Sequence, residues 1–124
     1  MEWYEELPDS CPPEDTEYGS NRTFFRITER KPPIDSDFFS QRKLSPHKAF
    51  NIDECIARSL SIFSNRNDAL NIMKLPKFKN YPYLYKIKLN NNAGVIKKTS
   101  SKSHYSWWRS KAFDFTNGIE MIEL

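Results

Sequence analysis

The sequence predicts an α+β domain, a mixed or antiparallel sheet of about five to six short strands with one main helix and short helical turns. Three observations predict it. Several runs of β-branched and aromatic residues alternate with period two, TFFRIT and YLYKIKL most clearly. One stretch alone, RNDALNIM, spaces its apolar residues as one face of a helix. The order of strand, short turns, strand, helix and further strands argues against a doubly wound parallel fold, and three glycines exclude a P-loop or dinucleotide fingerprint.

Residues 1–20 read as an acidic, proline-rich arm, because Pro8, Pro12 and Pro13 oppose regular structure. Residues 21–124 read as the single α+β domain. Thr23 to Thr28 form the first strand, with Phe24, Arg26 and Thr28 on one face and Phe25 and Ile27 on the other. Pro32 and Pro33 stop it, and Asp35 or Ser36 is expected to cap a turn carrying Phe38 and Phe39. Residues 42–52 read as a basic loop, and Asp53 as the cap of a short turn from Glu54 to Arg58. Ser59 to Phe63 alternate as a strand, and Ser64-Asn65 can cap a helix over Arg66 to Met73, ended by Pro76. Tyr83 to Leu89 form the clearest strand. A turn at residues 90–94 leads to a strand over Val95 to Thr99, then HYSWW at 104–108, then a closing strand, Ile119 to Leu124, after the Asn117-Gly118 turn.

The formal net charge is +3, but it is unevenly spread. Met1 to Glu17 hold acids and no Lys or Arg, whereas Lys74 to Lys111 hold bases and no acid. A basic body of this kind suits phosphates, nucleic acid or an acidic partner, unless the arm folds back and neutralises it. Cys11 and Cys55 lack CxxC spacing and suggest neither a zinc site nor a disulfide framework. Cys55 follows two acids, which would raise its thiol pKa, and is expected to lie inside. The acidic start has no apolar stretch and no run approaches the length of a membrane helix, so the expectation is a cytoplasmic protein without a membrane partner.

Three constellations could carry chemistry. Arg26, flanked by large apolar residues, must reach a partner or solvent, and its planar fork could hold a phosphate. The strand-to-helix passage SLSIFSNRNDA presents Ser61 and Ser64, as ligand hydroxyls or as ordinary punctuation. In HYSWW, alternation sets His104, Ser106 and Trp108 against Tyr105 and Trp107. One tryptophan is thus expected in the core and the other beside a histidine, which suits a flat heterocycle or a stacked base. A catalytic triad is hard to assemble, since neither His47 nor His104 neighbours a nucleophile motif such as GxSxG. No spacing suggests a metal site.

The stretch from Ser59 to Leu89, with SLSIFS, the Asp68-Ala69 pair and YLYKIKL in order, resembles the central segment of ADP-ribosyltransferases. Arg26 in FFRIT resembles the arginine on the first strand of the Arg-Ser-Glu branch. The resemblance implies an NAD site in which Arg26 meets a phosphate or ribose and Ser61 or Ser64 lies near the nicotinamide, with Tyr105 and Trp108 as cofactor contacts. It implies a catalytic set of Arg26, Ser61, His104 and, on the closing strand, Glu120 in place of the family's Glu-x-Glu or Gln-x-Glu. In that chemistry a carboxylate stabilises an oxocarbenium-like transition state. The wording of the chain is also similar to that of small bacterial proteins, and an NAD-binding or NAD-using protein of the transferase-like fold would be expected to serve as a toxin or defence component. Two alternatives stand beside an NAD protein. One is a non-catalytic accessory or immunity module that binds a protein encoded nearby; the other is a binder of single-stranded nucleic acid.

Overall fold

The computed structural model describes residues 1–100 and 102–124. Six strands, β1 (Arg22–Thr28), β2 (Leu60–Phe63), β3 (Tyr83–Leu89), β4 (Gly94–Lys98), β5 (His104–Arg109) and β6 (Ile119–Met121), form one sheet in the order β4-β5-β2-β1-β3-β6. Every pairing is antiparallel. The helices are α1 (Gln41–Leu44), α2 (Glu54–Ala57) and α3 (Arg66–Met73), with 3-10 turns at Asp35–Phe38 and Pro76–Phe78. The fold is therefore α+β.

The sheet is curled, as its connections require. The link between Leu89 and Gly94 joins strands four places apart in the sheet order. In a flat sheet those strands would lie about 19 Å apart, four spacings of about 4.8 Å. A link closed by the turn bond from Ala93 N–H to Asn90 O cannot reach that far. Curling brings β3 and β4 towards each other, and the end of the N-terminal arm lies between them. Glu17 exchanges both backbone hydrogen bonds with Ile96 of β4, and Asn21 N–H donates to Leu89 O of β3.

The concave face encloses the main core. Phe24, Leu60, Ile62, Tyr85, Ile87, Leu89, Ile96 and Trp107 meet there from β1 to β5, capped by Phe38 and Phe113. Period-two alternation produces this, since the matching outward residues Ile27, Phe63 and Leu84 form a second cluster under Ala69 of α3. Helix α3 begins where Asn65 accepts from Asp68 N–H, and α2 where Asp53 accepts from Cys55 and Ile56 N–H.

Several expectations need correction. Neither Asp35 nor Ser36 caps the turn after β1; Ile34 stands there, and Asp37 loops back to accept from Ile34 N–H and Glu29 N–H. The expected loop over 42–52 begins instead in α1, capped by Ser40, whose hydroxyl accepts from Lys43 N–H. Cys11 and Cys55 are not separate thiols: they form a disulfide with Cα atoms 5.6 Å apart. The pairing depends on the arm folding back across the body, which spacing in the sequence does not encode. Asp15 pairs with Lys97 at 2.9 Å, Glu17 with Arg22 at 2.6 Å and Glu2 with Lys111 at 3.4 Å. Three of the arm's acids are thus directed onto bases of the body, a partial neutralisation. No helix among the described residues is long and apolar enough to cross a membrane.

Candidate functional site

A cavity of about 820 Å³ opens on the convex side of the sheet, between α3, the turn at Pro76–Phe78 and the segment around α1. Its volume falls within the range of small-molecule sites. Arg26 of β1, Ser61 of β2 and His104 of β5 all line it, from positions 35 and 43 residues apart from Ser61 along the chain. Phe39, Phe78 and Tyr81 supply aromatic wall. The charged lining is Arg26, Lys48, Lys77 and Lys102 against a single acid, Asp68. A cleft with that sign of charge draws anions.

Arg26 is held where β1 and β2 part. The ladder between them is registered at Phe25 with Phe63 and goes no further. In its place the guanidinium spans the gap: Nη1 donates to Ser61 O at 2.8 Å, and Nε and Nη2 to Asp37 O at 3.1 and 2.9 Å. The side chain is half-buried. Desolvation pushes its pKa down to about 10 despite the opposing charge of Asp37. It stays charged at neutral pH. Three of its five N–H groups are used, leaving one hydrogen on each Nη.

His104 joins two strands through its ring. Nε2 lies 2.9 Å from Ser61 Oγ, and Nδ1 lies 2.8 Å from Thr99 Oγ1. Thr99 Oγ1 in turn lies 3.1 Å from the buried Ser106 Oγ. The register explains this, for Ser61 pairs with Ser106 and Phe63 with His104, so the imidazole lies diagonally across from the serine. Burial lowers the His104 pKa and so favours the neutral ring. The serine–histidine contact that the local sequence did not suggest is made by strand pairing.

Other expected site residues lie elsewhere. Trp108 is not left beside the histidine as a ligand contact: it is 1% exposed, and its Nε1–H donates to Cys55 O at 2.9 Å under α2. Both tryptophans are core, Trp107 donating to Ala93 O at 3.0 Å. Tyr105 packs edge-on to Phe24 and beneath Arg22, and is not part of the cavity wall. Ser64 is exposed and outside the wall, its N–H bonded to Ser103 O. Glu120 lies on β6 and pairs with Lys86 at 3.2 Å, again outside the wall. Sequence reasoning did not single out Lys48, Lys77, Lys102 or Thr99. The acid-free run from Lys74 to Lys111 carried the signal for two of those lysines. Among the described residues, no group of three or more His, Cys, Asp or Glu converges as a metal site would require. No protein-family model, curated protein or solved structure matches the chain.

Proposed function

We propose that the chain binds an anionic, ring-bearing small molecule of the nucleotide class in the cavity of Arg26, Ser61 and His104, with NAD as the first ligand to test. The observation that carries this reading is the convergence of those three residues on one cavity whose charged lining is four cations and one acid. Lys48, Lys77 and Lys102 suit phosphates as mobile point charges, while Phe39, Phe78 and Tyr81 suit the flat ring. The reading concerns binding ahead of ADP-ribosyl transfer. Glu120 is not in the cavity wall, and Asp68 is the sole acid there among the described residues, so the carboxylate that transfer demands has one candidate.

A protein-interaction module draws less support, because three of the arm's acids already pair with Lys97, Arg22 and Lys111. Stacking of single-stranded nucleic acid loses its platform with the burial of Trp107 and Trp108. As to compartment, the disulfide favours an oxidising environment. Nucleotide binding is compatible with it.

Calorimetry with NAD, and with ADP as the phosphate-bearing half, tests the proposal at low and moderate salt. Saturable binding is expected, weakening as salt rises. Lys77→Ala and Lys102→Ala should each weaken it by roughly threefold to fivefold, the worth of one exposed charge pair. Binding unchanged in both variants, or no heat at millimolar ligand, would remove the reading. These lysines are better targets than Arg26, whose loss would also free two backbone carbonyls.

A further inference from the structure

We propose that Ser61 and His104 form a nucleophile–base pair for acyl transfer, giving the cavity an esterase-type activity towards carboxylic esters that carry an anionic group. The proposal stands on the geometry of the pair and not on the identity of a nucleotide ligand.

Four observations support it. Ser61 Oγ is exposed on the cavity wall and 2.9 Å from His104 Nε2, within the reach a general base needs. The opposite ring nitrogen is 2.8 Å from Thr99 Oγ1, and Thr99 is 3.1 Å from Ser106 Oγ. Two donor orders satisfy the chain, and the productive one runs Ser61 O–H to Nε2, Nδ1–H to Thr99 and Thr99 O–H to Ser106. In that order Nε2 is free to accept a proton, and this tautomer is taken as the reactive one. Thr99 is then a positioning residue, in the place a carboxylate holds in the Ser-His-Asp arrangement. Finally, Arg26 is bonded to the carbonyl of Ser61 itself and keeps two guanidinium hydrogens uncommitted among the described residues. It is a fixed cation beside the nucleophile, suited to negative charge developing on a carbonyl oxygen.

The reaction balances without a cofactor. Ser61 Oγ bonds to the acyl carbon as its proton passes to His104 Nε2. The ester C–O bond then breaks, and the leaving alcohol takes that proton. Water, deprotonated by His104, releases the acid and restores the serine. The lysines of the wall select for an anionic group on the substrate.

A fluorophosphonate probe tests the pair directly, since attack by an activated serine forms an Oγ–P bond and expels fluoride. Intact mass should show one adduct, and peptide mapping should place it on Ser61. Ser61→Ala should abolish it, and His104→Gln should slow it by about a hundredfold or more. Thr99→Val should slow labelling while Thr99→Ser restores it, which a merely structural role for Thr99 would not produce. Hydrolysis of a p-nitrophenyl ester with a terminal carboxylate should follow the same order among variants. Absence of an adduct, an adduct mapped to another residue, or labelling of His104→Gln at the wild-type rate would each overturn the proposal. Because mapping uses the wild-type protein, poor folding of a variant cannot rescue it. Labelling without NAD binding would remove the nucleotide reading alone; NAD binding without labelling would remove the serine–histidine pair alone.

Discussion

At the scale of single residues, Arg26 and His104 divide the work of the cavity between holding and reacting. Arg26 replaces a missing stretch of β-ladder with three charge-assisted bonds to carbonyls, so its fork is structural before it is functional. His104 is the group whose protonation the fold opposes. Burial lowers its pKa. The sign of the pH effect follows. On acidification the unfolded chain takes up the proton at about pH 6.5, before the folded chain does. Stability is therefore full above that pH, and falls as pH drops through it until the folded imidazole also protonates. Urea midpoints measured from pH 5 to 8 should show this slope in the wild type and a flatter one in His104→Gln. Equal slopes would show that the ring does not feel its burial.

At the scale of elements, α3 is the piece whose placement shapes the site. It is eight residues long, too short to be stable alone, and is held by Ala69 in the outer cluster and by its cap. Asn65 Oδ1 accepts from Asp68 N–H at 3.0 Å, and the helix then presents Asp68, Asn71 and Ile72 to the cavity. Asn65→Ala should cost about 1 kcal/mol in urea unfolding and speed hydrogen exchange in the first turn of α3. A cost below a few tenths would mean that packing against β1 and β2 alone holds the helix. The sequence marked this element well, from the apolar spacing of Ala69, Ile72 and Met73 to the stop at Pro76. It marked the strands equally well, because alternation is a local pattern. It missed α1 because a four-residue helix capped by Ser40 leaves little periodicity to read.

At the scale of the whole molecule, the arm is part of the fold. Beyond its ion pairs, Glu5 accepts from Ser40 N–H and Oγ–H, Glu6 O accepts from Arg58, and Tyr4 stacks on Arg109 with the guanidinium carbon 3.7 Å from the ring centre. The disulfide closes a loop of 44 residues between arm and body. Chain entropy assigns about 4 kcal/mol to a loop of that length. Unfolding with and without reductant, and in the Cys11→Ser/Cys55→Ser variant, should show a loss approaching that figure. No change on reduction would mean that the arm's other contacts suffice.

Local chemistry was enough for the sequence to determine the strands, the main helix, its cap region and the membership of Arg26, Ser61 and His104 among the candidates. Each of these depends on residues within a few positions of one another, where alternation, capping and side-chain type act directly. Tertiary structure alone decided the rest. The diagonal register of β2 and β5 joined two separate candidates into a hydrogen-bonded pair, and α2 covers Trp108, which bonds to Cys55 O instead of a ligand. The return of the arm joined two cysteines, and the position of β6 beyond β3 kept Glu120 out of the cavity. Those outcomes depend on contacts between residues tens of positions apart, which are fixed by the packing of the whole chain and leave no pattern in any local stretch of it.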